Sequence, residues 1–130
     1  MSQDLFDAAV EAMAFSHSPY SKFPVGAAIR ADDGQVYRGA NIENAAYPEG
    51  LCAEATAIAN MVMGGGKAIN EIAVIAEKLA KCPPCGGCRQ KIAEFATPGT
   101  RVYLCDADGI QATLTIGELL PGAFDKSALG

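Results

Sequence analysis

The sequence predicts an α/β fold, a three-layer α/β/α sandwich built on a five-stranded mixed sheet, in one domain spanning residues 1–130. Three observations lead there. Apolar residues recur at helical spacing in separate stretches, short β-prone runs lie between them, and Gly/Pro/Asp signals punctuate the junctions. The resulting order is helix, hairpin, helix, strand, helix, strand, strand, helix, which calls for a mixed sheet with helices on both faces.

Each element has its own reason. In "SQDLFDAAVEAMAFSHS", Leu5, Phe6, Ala9, Val10, Met13 and Ala14 make an amphipathic helix with Ser2 as N-cap, ending near His17 before Pro19. "VGAAIRA" and "QVYRGANI" flank the turn signal "DDG" and read as a hairpin. A second helix runs from about Cys52 to Met63 and stops at three glycines, residues 64–66. "EIAVIAE" is an apolar run of strand length. Cys85 to about Phe95 forms the third helix, which "TPGT" breaks before the strand "RVYLC". After "DADG" come a last strand, "IQATLT", and a short helix at "IGELLP".

A chain of 130 residues can bury roughly two-thirds of the surface it exposes unfolded, so its core needs no disulfide scaffold. Ten basic residues against fifteen acidic ones give a net charge of −5. That charge repels a phosphate backbone, which argues against a nucleic-acid polymer as partner and leaves a small neutral substrate unaffected. The N-terminal stretch mixes acids with apolar residues and has neither a basic leader nor a membrane-length apolar run. A cytoplasmic location is the expectation. In a reducing compartment, five cysteines, four of them between positions 52 and 88, point to metal binding or catalysis rather than disulfides.

Cys85 and Cys88 are three residues apart, so one helical turn can aim both at a single ion. Cys52, opening a separate helix, suits a third ligand, and helix N-termini favour thiolates. A catalytic zinc takes three protein ligands and keeps one position open. Glu54 cannot easily bind the same ion from the turn that carries Cys52, but it could reach a water on the open face as a general acid and base. Three thiolates leave the site at net minus one, so something cationic should stand near; the helix dipoles and Arg89 are the candidates. Cys-x-Glu followed by Pro-Cys-x-x-Cys is the pattern of zinc deaminases.

At this point the chain resembles the short, homotetrameric cytidine deaminases, from about Pro19 to Asp125. The matching pieces are "PYSKFPVGAA", "GANIENAAYPEGLCAEATAI", "PCGGCRQ" and "ELLPGAF". The resemblance implies hydrolysis of cytidine or deoxycytidine to the uridine product plus ammonia, in pyrimidine salvage. It implies one Zn²⁺ per subunit held by Cys52, Cys85 and Cys88, with Glu54 shuttling protons between water, ring N3 and the leaving amine. Asn41 and Glu43 resemble the pair that grips the ribose hydroxyls. Phe23 resembles a pocket wall, and the Ala53 backbone resembles the group that reads the base edge. Tyr47 and Phe124 match positions used across subunit boundaries of the homotetramer, Phe124 stacking on a neighbour's base. One position departs from the family: Ala55 stands where an arginine commonly offsets the thiolate charge, and Arg89 or extra backbone donors are expected to take over.

Other readings stay open on the residues alone. Relatives with the same metal frame act on modified pyrimidine nucleosides or nucleoside antibiotics. Cys82 extends the run to Cys-x-x-Cys-x-x-Cys, which would allow a non-enzymatic Cys₄ structural zinc module. An iron–sulfur string lacks its usual continuation, since "RQKI" follows. Cys105 reads as a small buried hydrophobe, and His17, the sole histidine, as a solvated or capping residue.

Overall fold

The computed structural model describes residues 2–129. Its elements are α1 (Ser2–Met13), β1 (Val25–Ala31), β2 (Val36–Ala40), α2 (Ala53–Met63), β3 (Ile69–Ala76), α3 (Gly86–Phe95), β4 (Arg101–Asp106), β5 (Gly109–Thr115) and α4 (Ile116–Leu119). Two short 3₁₀ turns, Tyr47–Glu49 and Lys126–Leu129, were not foreseen from the sequence. The five strands form one sheet in the order β2-β1-β3-β4-β5. Strands β3 and β4 pair in parallel and every other neighbouring pair is antiparallel, so the sheet is mixed as expected.

Helices cover both faces, and the strands are apolar accordingly. On one face Ala27, Ile29, Ile72, Val74, Val102 and Leu104 pack with Ala57, Met61 and Ile92 of α2 and α3. On the other, Ala28, Ala73, Ile75 and Cys105 meet Leu5 and Ala9 of α1. Successive residues of β3 alternate between these two cores, which is why "IAVIA" reads as a continuous run rather than an alternating one. Cys105 is fully buried, the small hydrophobe the sequence suggested.

Two glycines set the layer spacing. A Cβ on Gly26 would lie 2.2 Å from the Ala9 carbonyl, and one on Gly39 would lie 2.3 Å from the Ala57 amide. Each lets a helix backbone rest directly on a strand, α1 on β1 and α2 on β2.

Helix α1 stops four residues short of the expected end. Ser2 is already its first helical residue rather than a cap, and the last is Met13. The chain beyond is drawn to the sheet edge: the His17 amide donates to the Asn41 carbonyl at 3.0 Å, and the Glu43 amide donates to the His17 carbonyl at 2.8 Å. Those bonds form a parallel bridge between His17 and Ile42, and Ile42 bridges Leu51 on its other side. This extension of β2 leads the chain directly to the start of α2. Strand β3 meanwhile runs into the loop that opens α3, so the N-termini of α2 and α3 meet at the end of the sheet where β2 and β3 finish.

Candidate active site

Cys52 is the N-cap of α2 and Cys85 is the N-cap of α3. Both caps have extended backbone and neither side chain is spent on capping, so both sulfurs are left for another task. Cys88 lies on the first turn of α3 and is buried. The three sulfurs all lie within 4.8 Å of one another, and Cys52 Sγ is 3.8 Å from Cys85 Sγ. Tetrahedral ligands about 2.3 Å from zinc stand about 3.8 Å apart, so the donor set fits that ion in number, chemistry and spacing. Cys82 and Glu54 are outside the set, which removes the Cys₄ reading.

The cluster is poised to become anionic. Hydrogen bonding from Cys88, joined by that from Cys85 and the field of Lys91, brings the Cys52 thiol down to about 6 against its partial burial. Cys88, the donor to Cys52 and buried, is pushed the other way. The sequence pointed to Arg89 as the compensating cation, and the structure assigns it elsewhere. Arg89 Nε donates to the Pro84 carbonyl at 2.8 Å and Nη1 donates to the Leu119 carbonyl at 2.9 Å. It braces the loop before α3 against α4. The charge of Lys91, one turn beyond Cys88, does bear on Cys52, as the smallest of the influences that lower its thiol, and its ammonium lies 3.6 Å from where a Cβ on Gly87 would sit. The three-residue step from Cys88 was the signal, and sequence reasoning passed over it.

A cleft of about 600 Å³ opens beside the sulfurs. Glu54, on the first turn of α2, lines it with only 4 % of its surface exposed. Burial pushes its carboxyl up to about 7, and the negative Cys52 beside it adds to the shift. An acid balanced there both accepts and donates protons at neutral pH. Ala53 is fully buried and also lines the cleft. As the first residue of α2, it carries one of the amide groups that no helical carbonyl reaches.

Asn41, Glu43 and Tyr47 line the same cleft. Both polar side chains are already engaged. Asn41 Oδ1 accepts from the Ser16 hydroxyl and from the Val25 amide at 2.9 Å, and its Nδ2 donates to the Phe23 carbonyl at 2.9 Å. Glu43 Oε1 accepts from the amides of Tyr20 and Ser21 at 3.0 and 3.1 Å, and Oε2 accepts from the Ser21 hydroxyl. The Ser21 bonds and the Tyr20 amide hold the Glu43 carboxyl below the usual range. Tyr20, whose ring meets Tyr47 edge-on at 6.3 Å, and Ser21 are cleft residues that the sequence carried inside "PYSKFP" without singling them out.

Two expected residues stand apart. Phe23 is not among the cleft-lining side chains; its backbone accepts from Asn41 and its amide donates to Ser21. Phe124 is 63 % exposed and lies beside α3, its carbonyl accepting from Gln90 Nε2 at 2.8 Å. His17 lends its backbone amide and carbonyl to the bridge beside Glu43 and is outside the sulfur cluster.

Residues 1–105 match the family model described as the cytidine and deoxycytidylate deaminase zinc-binding region. A cytidine deaminase of Sporosarcina psychrophila is 47% identical over 114 residues, covering 88% of this chain and 84% of that protein. One of Halalkalibacterium halodurans is 46% identical over 122 residues, covering 94% of this chain and 92% of that one. The crystal structure of a cytidine deaminase from Burkholderia pseudomallei superposes with a TM-score of 0.90 at 38% identity, covering 95% of this chain and 99% of that one. The α/β architecture, the sulfur triad at two helix tips and these likenesses agree: the chain belongs to the cytidine and deoxycytidylate deaminase family of zinc-binding proteins.

Proposed function

We propose that this protein hydrolyses cytidine and deoxycytidine to uridine or deoxyuridine and ammonia. The observation that carries this reading is a single cleft lined by the buried acid Glu54 and by Cys52 and Cys85, two of the three clustered sulfurs that could hold a metal ion. Zinc bound by Cys52, Cys85 and Cys88 supplies Lewis-acid activation of water, so that a hydroxide-strength nucleophile exists near neutral pH.

Glu54 moves the protons. Its carboxylate takes one proton from the attacking water and gives it to ring N3 as the hydroxyl joins C4. It then takes the remaining hydroxyl proton and gives it to the amine nitrogen, which leaves C4 as ammonia while the C4 carbonyl forms. One water is consumed and N3 keeps its hydrogen, as the uracil ring requires. A carboxyl near 7 suits both transfers.

The sugar binds at the opposite end, where Asn41 and Glu43 hold its hydroxyls. The Ala53 amide reads the base edge and Tyr47 walls the pocket, while Phe23, outside the cleft lining, acts through the backbone carbonyl that Asn41 holds. Phe124 serves the cleft of a neighbouring subunit in a homotetramer, a role that its 63 % exposure and its position outside its own cleft support. Among the described residues no helix is long and apolar enough to cross a membrane. The enzyme acts in the cytoplasm, where its five cysteines, all free of disulfides, stay reduced.

The test is the loss of absorbance in the cytidine band on adding purified protein, with zinc measured on the same sample. Deoxycytidine, cytosine and adenosine are run alongside. Both cytosine nucleosides should be consumed while free cytosine and adenosine persist. Zinc-loaded protein that leaves both nucleosides untouched ends this reading.

A further inference from the structure

The hydrogen-bond inventory of Glu43 singles out a residue beyond the expected set. A carboxylate offers about four lone-pair sites over its two oxygens. The amides of Tyr20 and Ser21 fill both sites of Oε1, and the Ser21 hydroxyl takes one site of Oε2. One acceptor remains, on Oε2. The Ser21 hydroxyl is itself anchored, because it accepts from the Phe23 amide at 3.0 Å. It therefore donates in one direction only, toward Glu43.

This arrangement separates two tasks. The backbone amides hold Oε1 and tether the loop of residues 18–24, whose tight path includes Lys22 at φ 57°. The hydroxyl, bonded to the other oxygen, adds a second restraint on rotation of the carboxylate about its last bond, and so on where the single open acceptor points. Ser21 and Glu43 both line the cleft, so that acceptor and the group that aims it share one wall. A water in place of the hydroxyl would keep the charge satisfied without fixing the direction.

We propose that Ser21 is a positioning residue: through its hydroxyl it orients the one open acceptor of Glu43 toward a sugar hydroxyl of the substrate. The inference rests on the reading of Glu43 as a ligand for the sugar. It assigns Ser21 an effect on binding rather than on the chemical step, because the hydroxyl lies at the sugar end and Glu54 at the sulfur end.

The test compares Ser21→Ala, Ser21→Thr and Glu43→Gln with the parent as zinc-loaded proteins of equal zinc content and verified melting temperature. Steady-state constants are measured for cytidine and for 2′,3′-dideoxycytidine, and uridine binding is measured by calorimetry. Ser21→Ala should raise KM for cytidine and Kd for uridine about three- to tenfold, the size of one ordinary hydrogen bond, with kcat within about twofold. Dideoxycytidine, which lacks the 2′ and 3′ hydroxyls and keeps only the 5′ one, should lose much less if the open acceptor of Glu43 serves the 2′ or 3′ hydroxyl, and Ser21→Thr should restore the parent values. Equal losses on both nucleosides, or none on either, overturn the assignment of Ser21. If Glu43→Gln weakens uridine binding and Ser21→Ala does not, the inference fails while the reading of Glu43 stands. If Glu43→Gln itself leaves uridine binding unchanged, both fall.

Discussion

Glu54 and Glu43 line the same cleft, and the fold pushes their carboxyls in opposite directions. Glu54 is buried on a helix, and desolvation raises it to about 7. Glu43 sits on an exposed strand extension, and the hydroxyl and amides of the 18–24 loop lower it. The contrast separates two ways of building a site. At the sulfur end the fold holds an acid in an environment that favours its neutral form, which makes it an effective proton carrier. At Glu43, the proposed sugar ligand, it surrounds an acid with donors, which keeps that carboxylate an acceptor. Reactivity comes from unfavourable solvation in one case, and recognition from hydrogen bonds already in place in the other.

The largest effect that sharpens this contrast is catalytic. Glu54→Gln keeps the size and much of the polarity of the side chain but removes the proton carrier. Turnover should fall by about 10²–10⁴-fold or more, because the group serves several transfers, while zinc content stays at one per chain. Stopped assays for ammonia with parallel metal analysis check both halves. Ammonia release at the parent rate would mean that the sulfur end does not work as described.

Packing beneath the cleft supplies the next effect. Gly39 lies under α2, and a side chain there would meet the Ala53 carbonyl at 2.5 Å as well as the Ala57 amide. Gly39→Val must lift the helix that carries Cys52 and Glu54, at a cost of about 2–4 kcal/mol by the scale of overpacked cores. Denaturant unfolding of the metal-free protein reads that cost. Zinc affinity should drop in the same variant, because Cys52 moves away from Cys85 and Cys88. The sugar end rests on loops, and no single substitution at Glu43 should affect metal binding comparably.

The two acids should also leave opposite marks on stability against pH in the metal-free protein. For Glu54 the folded value lies above the ordinary one, so its contribution is fully present below about 4.5 and is lost as pH rises through about 7. Glu54→Gln should then be more stable than the parent at pH 8, by the order of 1–3 kcal/mol, with the gap closing toward pH 4. For Glu43 the folded value lies below the ordinary one. Its contribution is present at neutral pH and is lost as pH falls through the folded value, so Glu43→Gln should be less stable at pH 7 and converge with the parent in acid. Thermal melts across pH 4–8 decide, and two variants shifting in the same direction would remove the distinction.

The same contrast explains what the sequence disclosed. The sulfur end was legible because zinc chemistry imposes a spacing: Cys85 and Cys88 one turn apart, Cys52 at another helix start and Glu54 two residues on. The strands were legible because burial on both faces leaves runs such as "AVIA". The end of α1 was misplaced, since its periodicity continues through Ala14 and the competing bonds come from Asn41 and Glu43, more than twenty residues away. Asn41 and Glu43 themselves carry no local pattern; only the resemblance singled them out. Ser21 and Tyr20 were passed over because their roles run through a backbone turn that no spacing rule describes. Arg89 was singled out for its charge alone, and its hydrogen bonds to the Pro84 and Leu119 carbonyls were not legible, because a cation one residue after a zinc ligand reads as electrostatic when only charge is considered.

Arg89 gives the smallest expected effect and the most direct check on that correction. Its guanidinium satisfies the carbonyls of Pro84 and Leu119, joining the loop that carries Cys82 and Pro83 to α4, which a Thr115–Glu118 capping box starts. Arg89→Ala leaves two partly buried carbonyls without these donors and should destabilise the fold by about 1–2 kcal/mol. Turnover per zinc-loaded molecule should stay within a few-fold, because the charge of Lys91 still acts on Cys52. Lys91→Gln should reverse the pattern. Its exposed side chain carries little of the fold, so the melting temperature should hold while turnover at low ionic strength falls toward the value at high salt, since the field of an exposed cation is screened. An Arg89→Ala variant with parent stability and impaired turnover, paired with a silent Lys91→Gln, would return the electrostatic role to Arg89 and leave the hydrogen bonds to Pro84 and Leu119 incidental.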